Sequence, residues 1–226
     1  MTTKRPLISQ SLSLVRSFER RLERLFEGAA GKAFSGHLHP SEIAGKLARE
    51  ADLARYEHVT GPATANSYTI LVNPRDLSLD PGEMERVLAE EVDRYTADEG
   101  LRLEGPIAVA IEASVEISQG TVVCHLKVMP GPTVPWARLV GSETVEVGRN
   151  RALIGRSPEA DVVLPFEDIS RRHALIWRQD GQIWMRDLGS SNGTSLDGEP
   201  VGREAAAVNP GAVLAFSDHR YRLAKL

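Results

Sequence analysis

The chain has little cysteine, no long apolar run and no excess of basic charge. Its one cysteine, Cys124, excludes an internal disulfide and a zinc site built from several cysteines, and it fits a reducing cytosol. No apolar stretch approaches the roughly 18–20 residues that a membrane span needs, and the charges near the N-terminus are not those of a signal peptide. We therefore expect a cytoplasmic protein that does not insert into a membrane.

Basic residues are outnumbered by acidic ones, 27 against 31, so that the net charge is −4. Residues 1–130 hold 15 basic and 19 acidic residues, and the remainder holds twelve of each sign. Domains that bind nucleic acid usually carry a basic face or stripe. The balance therefore argues against nucleic acid as a partner.

The 226 residues, 42% of them hydrophobic, are enough for two domains with apolar cores. Three prolines fall within the six residues 130–135 (PGPTVP), and such a segment cannot lie inside a helix or a central strand. We predict a linker at 130–135 between a domain of residues 1–129 and a domain of residues 136–226.

The first half alternates between helical and strand periods. Apolar residues at helical spacing predict helices over 15–26 and from Pro40, and a third helix follows the capping signal at Asp80-Pro81. Asn66–Pro74 is a predicted strand, and the alternating segments 107–116 and 122–128 are predicted to pair as a hairpin. This order predicts an α+β domain in which helices pack on a small sheet.

The second half is divided by turn sequences between β-branched or aromatic segments. These turns are Asp180-Gly181, Asn192-Gly193, Asp197-Gly198 and Asn209-Pro210-Gly211. The spacing predicts an all-β sandwich or barrel, and residues 174–178 and 182–186 form the clearest predicted hairpin.

Four sequence blocks in this half resemble the forkhead-associated (FHA) domain in order and spacing. They are Gly155-Arg156, Asp161-Val162-Val163-Leu164, Ser170-Arg171-Arg172-His173 and residues 187–194 (DLGSSNGT). The resemblance runs from about Trp136 to Leu226. It implies a sandwich of about eleven strands that binds phosphothreonine at the loops of one end.

The resemblance also implies the residues of the site. A phosphothreonine carries about −1.5 to −2 charges and three acceptor oxygens, so it requires a cation and several donors. The implied phosphopeptide contacts are Arg156, Ser170, Arg171, Ser191 and Asn192, and the implied supporting residues are Gly155, His173 and Gly193. Asp161 and Asp187 are interpreted as anchors of loops and strand ends.

The first half is similar to the domain that precedes FHA in bacterial FhaA-type proteins, on the residues 18–26 (FERRLERLF), Pro40-Ser41-Glu42-Ile43, residues 47–50 and Asn66-Ser67-Tyr68. The combined resemblance implies a non-enzymatic adaptor of Ser/Thr kinase signalling, linked to cell-wall or cell-division control. Its partners would be phosphothreonine proteins and an unknown second protein bound by the first domain. The alternative is phosphate-independent scaffolding or self-assembly through the first domain.

Other chemistry is less well supported. Cys124 and His125 are neighbours on a predicted strand, so their side chains point to opposite faces and cannot pair as thiol and base. His37 and His39 lack a third metal ligand at suitable spacing. Since no nucleophile, base and orienting group occur together, we expect no enzyme activity, no cofactor and no metal.

Overall fold

The computed structural model describes Leu38, residues 40–77 and residues 81–226. These residues form two compact units. The N-terminal unit comprises the described residues up to Tyr56 together with Thr64–Tyr95 and Ile107–Met129. The sandwich unit comprises Glu57–Ala63, Thr96–Pro106 and Pro130–Leu226. The predicted helix over 15–26 lies outside the described residues, and the predicted domain boundaries at 129 and 136 stay a prediction.

Two of the predicted helices are present. Helix α1 spans Pro40–Leu53 and buries Ile43, Leu47 and Ala51, which follow each other at intervals of four residues and so lie on one face. Helix α2 spans Gly82–Asp98, and the side chains of Met84, Leu88, Val92 and Tyr95 are buried along it. A short 3-10 helix at Pro74–Asp76 precedes α2.

Three strands form the sheet of the N-terminal unit: β3 at Ser67–Val72, β4 at Ala108–Ala113 and β5 at Val122–Lys127. Strand β3 is central, parallel to β4 and antiparallel to β5. The predicted hairpin of β4 and β5 is therefore wrong. Helix α2 supplies the crossover that parallel strands require, and β5 then pairs with the free edge of β3.

The sandwich unit begins with a two-stranded ribbon, β1 at Tyr56–His58 and β2 at Gly61–Ala63; Tyr56 itself belongs to the N-terminal unit. Residues 130–226, all of them described, contain eleven further strands. These are β6 Ala137–Val140, β7 Thr144–Val147, β8 Ala152–Gly155, β9 Val162–Val163, β10 Ala174–Gln179, β11 Gln182–Asp187, β12 Thr194–Leu196, β13 Glu199–Val201, β14 Ala206–Val208, β15 Val213–Phe216 and β16 His219–Lys225.

The eleven strands form two sheets, of five in the order β14-β11-β10-β8-β9 and of six in the order β13-β12-β15-β16-β6-β7. All pairs are antiparallel except β8 with β9. One apolar core takes Ile154 and Ile176 from the first sheet and Leu139 and Leu223 from the second. The two sheets are therefore the layers of a sandwich.

Turn chemistry determines two of the hairpins. Asp180 and Gly181 both have positive φ, 51° and 72°, and Gln179 lies opposite Gln182. Positive φ at both central residues is the turn that matches the twist of a tight hairpin. Asp197 and Gly198 repeat this pattern between β12 and β13. The hairpin prediction at 174–186 is thus confirmed.

Candidate functional site

The end of β8 places Arg156 beside the loop that follows β9. The amide of Arg156 donates to the carbonyl of Ser170 at 3.1 Å, and the amide of Ser157 donates to the carbonyl of Arg171 at 3.3 Å. At Gly155 the approach is so close that a Cβ would lie 2.2 Å from the Arg171 carbonyl oxygen. A side chain does not fit there, so a glycine brings the two arginine-bearing segments together.

His173 connects that loop to the one after β11. The ring is fully buried, its Nδ1 lies 3.1 Å from the amide of Ser170, and its Nε2 lies 3.0 Å from the carbonyl of Gly193. An amide can only donate and a carbonyl can only accept, so the contacts fit the neutral ring with its proton on Nε2. His173 thus holds two loops without being accessible to a ligand.

Further hydrogen bonds join the same two loops. The amide of Ser191 donates to Oγ of Ser170 at 3.1 Å. The side-chain amide of Asn192 donates to the carbonyl of Asp168 at 2.7 Å. Ser191 and Asn192 are exposed and Ser170 is half-buried. The structure therefore brings the predicted contact residues of both loops together at the surface.

Asp187, at the end of β11, holds the loop that follows this strand through four hydrogen bonds. Its Oδ1 accepts the amides of Gly189 and Ser190 at 2.6 and 2.8 Å, and its Oδ2 accepts the hydroxyls of Ser190 and Thr194, both at 2.6 Å. Burial alone would raise the pKa of Asp187, but these hydrogen bonds hold it below its ordinary value. The carboxylate therefore remains charged and orders the chain up to Gly193, where φ is +81°.

The cations at this end of the sandwich are available to a ligand. Arg156, Arg171 and Arg203 are exposed, and in the part of the chain that the structure describes none of them forms an ion pair. Arg203 lies against the second loop, with its Nη2 3.0 Å from the position of a Cβ on Gly189. Unpaired guanidinium groups beside hydroxyl donors suit a phosphate group.

Sequence reasoning missed three residues of this region. Arg203 belongs to none of the four blocks. His219 stacks on Phe166 with 3.8 Å between ring centroids, and its Nε2 lies 2.9 Å from Oδ1 of Asp168. Asp168 and His219 are 51 residues apart in the sequence, so only the pairing of the sheets reveals their contact.

Of the remaining candidates, Cys124 lies in the described part of the chain. Cys124 is half-buried on β5, and burial raises the pKa of its thiol to about 12, which disfavours a thiolate. His37 and His39 lie outside the described residues. Among the residues that are described, no three His, Cys, Asp or Glu side chains are grouped to hold a metal, and no helix there is long and apolar enough to cross a membrane.

Comparison with known proteins agrees with the two resemblances. The family model of the FhaA N-terminal domain matches residues 15–125, and the FHA domain model matches residues 152–217. The glycogen accumulation regulator GarA of Mycolicibacterium smegmatis is 30% identical over 129 residues, which cover 56% of this chain and 77% of that protein.

Two further known proteins are similar to this chain. The oxoglutarate dehydrogenase inhibitor of Corynebacterium diphtheriae is 30% identical over 118 residues, or 52% of this chain and 78% of that protein. The FHA domain of FhaA, solved in complex with the intracellular domain of Rv3910, is 25% identical and covers 40% of this chain and 99% of its own, with a TM-score of 0.35.

Proposed function

This chain belongs to the FhaA-type FHA proteins, and from that premise we propose that it is a phosphothreonine-dependent adaptor of bacterial Ser/Thr kinase signalling. The observation that carries the proposal is the surface formed by the loops after β8, β9 and β11. It combines unpaired arginines with hydroxyl and amide donors, and His173 fixes two of its loops from within the core.

The hydrogen bonds already present leave the right donors free. Ser170 Oγ accepts the amide of Ser191, so its own O–H can donate to a phosphate oxygen. Asn192 uses one N–H on Asp168, which leaves a second N–H and its carbonyl oxygen for the main chain of a peptide. Arg156 and Arg171 supply the positive charge. In this proposal Ser170 and the two arginines hold the phosphate, and Asn192 holds the main chain of the peptide.

Binding of a phosphothreonine peptide, its unphosphorylated form and its phosphoserine form to the full chain tests this function. We expect tight binding of the phosphothreonine peptide only. Because a hydrogen bond to a charged group contributes roughly 1.5–3 kcal/mol, Arg156→Ala should weaken that binding about a hundredfold.

Arg138→Ala is the matched control, because Arg138 is an exposed arginine of the same sandwich whose guanidinium pairs with Glu146 at 3.1 Å. It should bind the phosphothreonine peptide as the parent does. Equal binding of phosphorylated and unphosphorylated peptides would contradict the proposed function and favour phosphate-independent scaffolding.

The wider role follows as part of the same proposal. An adaptor needs a second interaction, and we assign it to the N-terminal unit, which has its own three-stranded sheet. A cytoplasmic location and a link to cell-wall or cell-division control belong to this proposal as well. Recovering bound proteins with the parent and Arg156→Ala as paired baits separates partners of the phosphate site from those of the N-terminal unit.

A further inference from the structure

Two segments that are distant in the sequence from the FHA-matched residues 152–217 nevertheless belong to the sandwich unit. They are residues 57–63, which carry most of the β1–β2 ribbon, and residues 96–106; together we call them the collar. The amide of Arg102 donates to the carbonyl of Pro62 at 2.9 Å, which joins the two parts. The carbonyl of Asp98 accepts the amide of Asp180, and that of Glu104 accepts the amide of Gly131, at 3.0 and 2.9 Å.

Arg102 is the centre of the collar. Its side chain is 7% exposed, and its two terminal nitrogens contact the two oxygens of Asp161 at 2.7 and 2.9 Å. Its Nε donates to Glu104 at 2.6 Å. Burial alone would lower the pKa of Arg102, but the two carboxylates raise it above its ordinary value. The guanidinium is therefore a fixed, fully paired cation.

Asp161 connects Arg102 to β8, the strand that ends at the proposed phosphate site. Its Oδ2 also accepts the amide of Leu153 at 2.8 Å. Leu153 lies in β8, two residues before Gly155 and three before Arg156. One backbone amide of β8 is thus bound by a carboxylate that Arg102 holds together with Arg149, whose Nε lies 3.4 Å from Oδ1 of Asp161.

The collar contacts the sandwich at both ends of β8. Before β8, Nη1 of Arg102 donates to the carbonyl of Arg151, and the side-chain amide of Asn150 donates to the carbonyl of Leu101, both at 3.1 Å. Beyond β8, Nη2 of Arg172 donates to the carbonyl of Val59 at 3.1 Å. Arg172 belongs to the loop that carries Ser170 and Arg171. Both arginine-bearing segments of the site are therefore tied to the collar.

We propose that the collar is a functional part of the phosphopeptide site and that Arg102 is a positioning residue, which acts through Asp161 and Leu153 on Arg156. The inference rests on the proposed function. It has a necessary consequence, since coupling between two parts of a protein is reciprocal. If the collar favours the binding geometry, a bound phosphopeptide must stabilise the collar to the same degree.

The first experiment measures binding of the phosphothreonine peptide to full-length Arg102→Met and Arg102→Lys. Met removes the charge, whereas Lys keeps a charge but not the fork. Because coupled residues outside a site change its affinity by roughly 3- to 30-fold, we expect a loss of that size for Met and a smaller loss for Lys. Leu223→Ala, a core truncation that leaves the collar intact, controls for lowered stability, and it should keep the parental affinity.

The second experiment needs no variant. Hydrogen exchange of the parent chain is followed with the saturating phosphothreonine peptide and with its unphosphorylated form. We expect slower amide exchange in residues 57–63 and 96–106 with the phosphorylated peptide only. Residues 108–113 of β4 and 122–127 of β5, which belong to the N-terminal unit, are the internal control and should not change.

The two experiments distinguish failure of the proposed phosphopeptide binding from failure of the proposed role of the collar. A parent chain that does not prefer the phosphorylated peptide contradicts the proposed function. A parent chain that prefers it, but whose collar exchanges at an unchanged rate, contradicts the inference alone. So does a folded Arg102→Lys or Arg102→Met that binds like the parent. If Arg102→Met does not fold, the Lys variant and the exchange experiment still decide.

Discussion

Two pairs of arginines in the sandwich unit differ in their exposure and in their partners. Arg156 and Arg171 are exposed and have no carboxylate partner among the described residues. Arg102 and Arg149 are largely covered and contact Asp161 and Glu104. A buried cation must be paired to be tolerated, and an exposed unpaired one remains available. Under the proposed function, the buried pair stabilises the fold and the exposed pair is left to bind the phosphate.

Removing a carboxylate from the paired group should have the largest effect on stability. Asp161→Ala leaves Arg102 with one carboxylate partner and the amide of Leu153 without its acceptor, so we expect the free energy of unfolding to fall by about 3 kcal/mol. Glu146→Ala, which breaks the exposed pair with Arg138, should cost less than about 1 kcal/mol.

Guanidinium unfolding followed by tryptophan fluorescence measures this difference selectively. The three tryptophans of the chain, Trp136, Trp177 and Trp184, all lie in the sandwich unit. Equal losses for Asp161→Ala and Glu146→Ala would show that burial of the pair does not distinguish the two groups.

The next largest effect is expected at Gly155, where the segments that carry Arg156 and Arg171 come together. In Gly155→Ala the added Cβ would lie 2.2 Å from the carbonyl oxygen of Arg171, so the segments must separate. We expect a loss of about 2 kcal/mol in stability, as for overpacking, together with weaker phosphopeptide binding. Gly202→Ala is the control, because nothing lies within 4 Å of its Cβ position. Unaltered binding by a folded Gly155→Ala would show that this close approach is not required.

The two groups also differ in how well the sequence predicts them. Arg156 and Arg171 lie in short blocks of fixed spacing, and the turn residues Asp180-Gly181 determine a hairpin locally. The partnership of Arg102 with Asp161 spans 59 residues, and nothing local to either residue predicts it. The alternation of apolar and polar residues identifies β3, β4 and β5 as strands, but it does not determine which strand pairs with which. The sequence therefore predicts features that neighbouring residues determine, such as turns and short motifs, but not which distant residues contact each other.

A charge-conserving substitution at Arg156 separates the effect of positive charge from that of hydrogen-bond geometry. Arg156→Lys keeps the positive charge but replaces a planar fork of donors with a single ammonium. If the fork contacts the phosphate through two hydrogen bonds, the affinity for the phosphothreonine peptide should fall roughly tenfold, with the free energy of unfolding unchanged. Calorimetric titration of the parent and Arg156→Lys measures it. Parental affinity would show that only charge matters at this position.

The smallest expected effect concerns the ligand's own charge. The second ionisation of phosphothreonine lies near pH 6, and two unpaired guanidinium groups favour the dianion, so the pKa of the bound phosphate should fall below that of the free peptide. The affinity should then drop about threefold between pH 7.5 and 5.5.

The loop itself should stay ordered over this range. The pKa of Asp187 is below its ordinary value of 3.8, so its stabilising contribution is complete above 3.8 and is lost only as the pH falls further. Phosphorus NMR of free and bound peptide separates the ligand's titration from any change in the protein. In Arg156→Ala the pKa of the bound phosphate should lie closer to that of the free phosphate than it does in the parent chain. Coinciding titrations in the parent chain would mean that the exposed arginines do not recognise the phosphate through its charge.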